Sequence, residues 1–364
     1  MDKKWYKLAR TIVKAGSMPF AINDTLIKLL QTIIEEEYVE FIISVFRKPS
    51  LSLQQIKERI DLDEESILKI LENLMNEGIV VGTQSRSSGI MVYRLQNPFP
   101  GLFEYTLMRG ETGPKQKALV KLFEQLFDEL SEVTQENYAT VVPQYKNFPP
   151  IDRIVPVEEK IEDIQGETIL PFEEVSKIVD SYEDIALVHC YCRHEKDLLE
   201  QPCKVTDERK NCFLFGKSAK FAIDHRFGEP IDKQKVKELL VSAEEDGLVH
   251  KTFHIHSDIK REEEALCNCC KCCCGIFQMY YRGIMPYHCN TSYLAQIIQD
   301  ECIGCGTCVQ LCPMETIELQ DAVAVINEDR CIGCGVCAHN CPEDAIKLKR
   351  TGLREVFIPP PKKE

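Results

Sequence analysis

Long apolar runs are missing from this chain of 364 residues. No stretch reaches the roughly 18 apolar residues a membrane-crossing helix needs, so no membrane insertion is expected. Met1–Arg10 is charged and no apolar run of signal length follows, so no secretory leader is expected either. No G-x-G-x-x-G or Walker-type phosphate loop occurs, which removes the usual sequence support for a nicotinamide, flavin or nucleotide. Positive charge is in deficit: 44 Lys plus Arg face 58 Asp plus Glu, a formal net charge of -14. That balance argues against broad binding to nucleic acid or anionic lipid, and it suits docking on basic patches of redox partner proteins. Cysteine is absent from the first 189 residues.

After that point cysteine dominates. Of 19 cysteines, ten fall in Cys190–Cys274, eight in Cys302–Cys341, and Cys289 stands apart. A disulfide scaffold would be smaller and would spread its cysteines more evenly, whereas C-x-x-C and C-x-C spacings suit metal or clusters. Cluster thiolates need a reducing compartment, so a cytoplasmic location is expected.

Two runs fit C-x2-C-x2-C-x3-C-P: Cys302, Cys305, Cys308, Cys312-Pro313 and Cys331, Cys334, Cys337, Cys341-Pro342, an internal repeat with a period of 29 residues. Three thiolates at steps of three lie on one tight loop and can grip three corners of a cube. Gly304, Gly306, Gly333 and Gly335 let that loop curl and turn amide N–H groups towards sulfur. The fourth cysteine, followed by proline, starts the next turn and reaches the other cluster. The first [4Fe–4S] cluster is therefore expected on Cys302, Cys305, Cys308 and Cys341. The second is expected on Cys331, Cys334, Cys337 and Cys312, with Ile303 and Ile332 excluding water. This segment, residues 291–350, resembles bacterial-type two-[4Fe–4S] ferredoxin domains. The resemblance implies a low-potential carrier that moves electrons singly.

The other cysteine field begins with His189-Cys190-Tyr191-Cys192-Arg193-His194, continues with Cys203 and Cys212, and ends in Cys267-Asn268-Cys269-Cys270-Lys271-Cys272-Cys273-Cys274. Thiolates this dense repel one another unless a metal neutralises them. One or two further iron–sulfur clusters are expected on Cys190, Cys192, Cys203, Cys212, Cys267, Cys269, Cys270, Cys272, Cys273 and Cys274, with zinc or a thiol array as alternatives. Arg193 and Lys271 would offset the anionic charge. His254 and His256 are expected on a solvated strand face, and Cys289 as a buried free thiol. H-C-x-C-R … C-N-C-C-x-C-C-C followed by a two-cluster module resembles a group of iron–sulfur proteins from anaerobes, and assigns no substrate.

The expected fold class is multidomain α+β. Residues 1–100 carry a long helix over Asn23–Phe46, a helix–turn–helix around Asp61-Leu62-Asp63 and a strand pair, and so resemble a winged helix. Asp63-Glu64-Glu65 and Glu72 on the recognition-helix position would face phosphates badly, leaving Arg86 and Arg94 as the obvious contacts, so protein docking is favoured over DNA. Residues 101–150 hold an amphipathic helix at 115–135, packed on the first domain or pairing a homodimer, and then a linker. Residues 151–290 form a cysteine-rich α/β domain, and 351–364 a mobile tail. The function expected is electron transfer for an anaerobic oxidoreductase. The alternatives are an enzyme with a catalytic metal or cluster in the central domain, and a redox-sensing transcriptional regulator.

Overall fold

A computed structural model describes residues 2–16, 20–85, 88–161, 169–254 and 263–363. Helix and sheet are mixed. The chain divides into two compact units: residues 1–132 with 188–202 and 217–229, and residues 133–187 with 203–216 and 230–364.

Local signals set the elements of the first unit. Asp2 and Asn23 cap helices Lys3–Val13 and Asp24–Ile33 by accepting the backbone N–H of Lys4 and Leu26 at 2.9 Å each. The single helix expected over Asn23–Phe46 is instead two. Ile34 turns extended, and Glu36–Val45 begins again with Glu36 and Glu37 in its first turn, where carboxylates favour the helix dipole. Strand β1 (Ser50–Ser52) leads into a capping box, in which Ser52 and Gln55 exchange side-chain and backbone hydrogen bonds ahead of helix Leu53–Lys57. Asp63 caps helix Glu64–Asn76 through the Ser66 N–H at 2.9 Å. Strands β2 (Val80–Gln84) and β3 (Met91–Leu95) complete a three-stranded sheet of order β1-β3-β2. Arg86, the expected wing-tip cation, lies outside the described residues. Helix Pro114–Glu136 matches the amphipathic run, and its Phe123 and Phe127 pack edge-on against Phe99 and Phe103 at centroid distances of 5.0–5.9 Å.

The second unit is built on an eight-stranded sheet. Its strands are β4 (Asp152–Val155), β5 (Ile185–Val188), β6 (Cys212–Phe215), β7 (Glu229–Pro230), β8 (Val249–His254), β9 (Glu263–Cys269), β10 (Tyr287–Ile297) and β13 (Ile346–Ile358), and β11 (Ile317–Gln320) and β12 (Val323–Ile326) form a separate hairpin. The order is β13-β10-β4-β8-β9-β6-β5-β7. Alternation along the strands gives the sheet two unlike faces. One holds Val155, Phe213, Phe215 and Leu266 under helices Val175–Asp180 and Lys233–Glu245. The other carries Asp152 and Lys251, a buried ion pair at 3.2 Å, whose ammonium lies 3.7 Å from the Phe277 ring centre.

The segment with both C-x2-C-x2-C motifs is an insertion between adjacent strands. Residues 298–345 leave β10 and return into β13, and those two strands pair antiparallel from Ile297↔Ile346 to Tyr287↔Ile358. The tail expected to be mobile from residue 351 is therefore largely strand. Its continuation is held as well, by the Tyr138 hydroxyl on the Pro360 carbonyl at 2.6 Å and by Gln135 on the Lys363 N–H at 2.8 Å. His254, expected on a solvated face, is buried in β8, and His256 lies outside the described residues.

Glu104 is buried beneath the aromatic cluster of the first unit, where it accepts the Gly101 N–H. Burial pushes its carboxyl up to about 7, from an ordinary value of 4.5. A raised acid favours folding fully below its unfolded value, and that contribution is lost as pH rises through the folded one. Urea unfolding followed by the fluorescence of Trp5, the chain's one tryptophan, should show stability declining between pH 4.5 and 7 or just above. Glu104→Gln should flatten that decline.

Candidate metal centres

The two C-x2-C-x2-C loops fold alike. Each curls through glycines with positive φ, then enters a short helix, Thr307–Leu311 or Val336–His339, from Gly306 or Gly335 in the left-handed region. Gly304 and Gly333 are the tight points: a Cβ on either would lie 2.1 Å from a backbone oxygen, that of Ala322 or of Tyr293.

Each loop opens on a cavity. The first is lined by Cys302, Cys305, Cys308 and Cys341, the second by Cys331, Cys334, Cys337 and Cys312. Each cavity thus draws three cysteines from one motif and the fourth from the other. Amide hydrogens point at the sulfurs: Ala324 N–H reaches Cys302 at 3.5 Å, and Thr316 N–H reaches Cys312 at 3.4 Å. Thiols, apolar side chains and backbone N–H donors make up most of both linings, with Thr307, Glu343 and Thr316 as the polar side chains, and this set fits an anionic inorganic cluster.

The two cavities differ in exposure. Cys331, Cys334 and Cys337 are buried, and burial pushes the Cys334 thiol up to about 12. Cys305 is exposed, and hydrogen bonds from the Thr307 hydroxyl and N–H hold its thiol below the ordinary range. Ile332 covers its cavity at 2% exposure; Ile303, expected to do the same, stands 62% exposed.

The central cysteines fall into separate places. Cys190 and Cys192 belong to the first compact unit, beside and within helix Tyr191–Leu198. His194 there meets the Glu111 carbonyl at 2.7 Å. In the second unit, β6 and β9 set Cys212 opposite Cys267, and β8 sets Lys251 opposite Cys267. Cys269, two residues on, shares that sheet face and hydrogen-bonds with Cys267 and Cys274. Cys289 lies in β10 opposite Asp152, fully buried, and desolvation holds its thiol protonated.

Cys203, Cys270, Cys272 and Cys273 form a third arrangement. Their sulfurs all lie within 4.8 Å of one another, and among the described residues they are the one group of three or more His, Cys, Asp or Glu side chains to do so. Cys203 lies 3.6 Å from Cys270 and 3.7 Å from Cys272, which in turn lies 3.6 Å from Cys270 and 3.5 Å from Cys273. Ala243 and Leu248 form the apolar base. Proton sharing drives Cys203 far down, chiefly through Cys270, and Cys273 far up, chiefly through Cys203. Lys271, expected to offset charge here, pairs with Glu315. The eight-residue cysteine run thus divides: Cys267, Cys269 and Cys274 go to the sheet face, and Cys270, Cys272 and Cys273 turn to Cys203. Period-2 alternation in the run's strand portion is the sequence signal that separates the two sets.

Residues 295–348 match the family model of the 4Fe-4S dicluster domain. Over 33 residues the chain is 52% identical to Ferredoxin-2 of Desulfomicrobium norvegicum, a stretch covering 9% of this chain and 56% of that ferredoxin. The chain therefore spans about half the length of that relative. No solved structure matches the chain. The C-terminal segment is a ferredoxin-like 4Fe–4S domain.

Gly333 and Gly352 have φ of +64° and +70°, but nothing lies within 4 Å of a Cβ at Gly352. Gly352→Ala should cost only the left-handed backbone term, about 1–2 kcal/mol. Gly333→Ala adds a collision with the Tyr293 carbonyl and should cost clearly more. Denaturant titration of both variants under argon measures the difference.

Proposed function

We propose that this chain is an iron–sulfur electron-transfer protein carrying two [4Fe–4S] clusters and serving as the redox subunit, or the electron donor or acceptor, of an anaerobic oxidoreductase. The observation that carries the reading is the exchanged fourth cysteine: Cys341 lines the cavity of Cys302, Cys305 and Cys308, and Cys312 lines that of Cys331, Cys334 and Cys337. These two sets of four are the proposed ligands. Cluster binding would displace to solvent the protons that burial otherwise retains on Cys334 and Cys337. The clusters supply one-electron chemistry. The protein's own part is to hold them, to direct N–H groups at sulfur and to keep water from the inner one. No nucleotide loop is evident in the sequence, so electrons pass between this chain and a partner protein. A further cluster, if the sheet face carries one, would draw on Cys212, Cys267, Cys269 and Cys274, beside the Lys251 ammonium.

Residues 36–95 run helix, strand, helix, helix, strand, strand, the order of a winged helix. Glu64 and Glu65 begin the helix that would enter a DNA groove, and Glu72 follows one face further on. The module is better suited to docking on protein than on phosphate.

Anaerobically prepared protein should carry roughly eight irons in the C-terminal domain. Cys341→Ser should disturb the cluster held by the first motif, although it lies in the second, and Cys312→Ser should do the converse. Paramagnetic resonance of the reduced variants should show a different cluster altered in each. Alteration of the same cluster in both would sink the ligand assignment. For the N-terminal module, gel shifts with genomic DNA should show no salt-sensitive complex in either oxidation state. A complex that tracks cluster oxidation state would favour the regulator instead.

A further inference from the structure

We propose that Cys203, Cys270, Cys272 and Cys273 bind one zinc ion in a closed tetrahedral site, separate from any iron–sulfur cluster. Size decides between one ion and a cube. Four sulfurs about 2.3 Å from a single central ion are about 3.8 Å apart. The four measured separations run from 3.5 to 3.7 Å. In a cubane cluster each thiolate binds its own iron at its own corner, so the sulfurs stand further apart. The same chain provides the comparison: among the described residues, the cysteines around the two C-terminal cavities form no group as close as this one. A disulfide is excluded, since its sulfurs would be about 2.05 Å apart.

The surroundings suit bound thiolate. The Thr206 N–H points at the Cys203 sulfur and the Lys204 N–H at the Cys272 sulfur. Cys274 N–H closes the loop on the Cys270 carbonyl at 3.1 Å, and the Gln278 amide holds the Lys271 carbonyl at 2.8 Å. The turn that presents three sulfurs is thus fixed independently of the ion. All four positions are taken by protein, which is the pattern of a structural site and leaves none for substrate. Binding releases the thiol protons to solvent. The ion is redox-inert, so its part is to fasten the loop at Cys203 to the turn at 270–273 without entering electron traffic.

Zinc-edge X-ray absorption ignores iron and tests the site in the full-length holoprotein. Anaerobically purified protein should hold about one zinc per chain with four sulfurs at about 2.3 Å. Cys272→Ser should lose the zinc while retaining the iron of the wild type, and Cys212→Ser should keep it. Cys203→His preserves a ligand and should retain the zinc with one sulfur replaced by nitrogen, which covers the case in which Cys272→Ser fails to fold. Wild-type protein without zinc overturns the proposal. So does zinc whose sulfur shell is unchanged in Cys203→His, or loss of iron from Cys272→Ser protein that is folded.

Discussion

The pairing of β10 with β13 is the constraint on which the dicluster domain depends. These strands run side by side for more than ten residues, and the segment with both cysteine motifs leaves one and re-enters the other. Its ends are therefore fixed by a ladder of main-chain hydrogen bonds and not by a linker. The same sheet also reaches into the second motif. The Val157 N–H holds the Cys334 carbonyl at 3.1 Å, and the Arg354 guanidinium holds the carbonyl of Cys331. Tyr293 presses its backbone oxygen so close to residue 333 that glycine alone fits there. The glycine of the first motif, Gly304, closes instead on the β11–β12 turn at Ala322.

Electrostatics divide the unit's cysteines in a similar way. Cys267, Cys269 and Cys289 share a face with Asp152 and Lys251, which lie 3.2 Å apart in full burial. Desolvation pushes the Asp152 carboxyl up, while Asp152 and the Cys274 and Cys269 sulfurs favour the Lys251 ammonium against its own desolvation. Removing either partner of such an enclosed pair strands the other, which is why such pairs persist once built. The four-sulfur group meets the amide N–H groups of Thr206 and Lys204 instead.

Much of the dicluster domain could be read directly, because its information is local. Steps of three in sequence make one loop, and a following proline ends it. Caps are local as well: Asp63 and Asp232 each accept the N–H group three residues on. What escaped was long-range. The break at Ile34 is the exception, marked locally by Glu35, Glu36 and Glu37 immediately after it. The discontinuous first unit gathers 188–202 and 217–229 from far along the chain, which no composition shift marks. Residues 351–358 looked like a tail because Pro359, Pro360 and Pro361 follow, yet Val356 and Ile358, two residues apart, are both buried on one strand face. The crowded Cys267–Cys274 run could be recognised as metal-binding, but its division into a strand half and a turn half depends on where β9 stops.

The unequal cover of Ile303 and Ile332 has a consequence for charge. An added electron makes a cluster more anionic, and water stabilises that state better than a protein interior does. With clusters in both cavities, hydration alone tilts the resting electron towards the Cys305 end. A partner that docks there would displace that water, weaken the tilt and send the electron inward: contact itself would act as the valve.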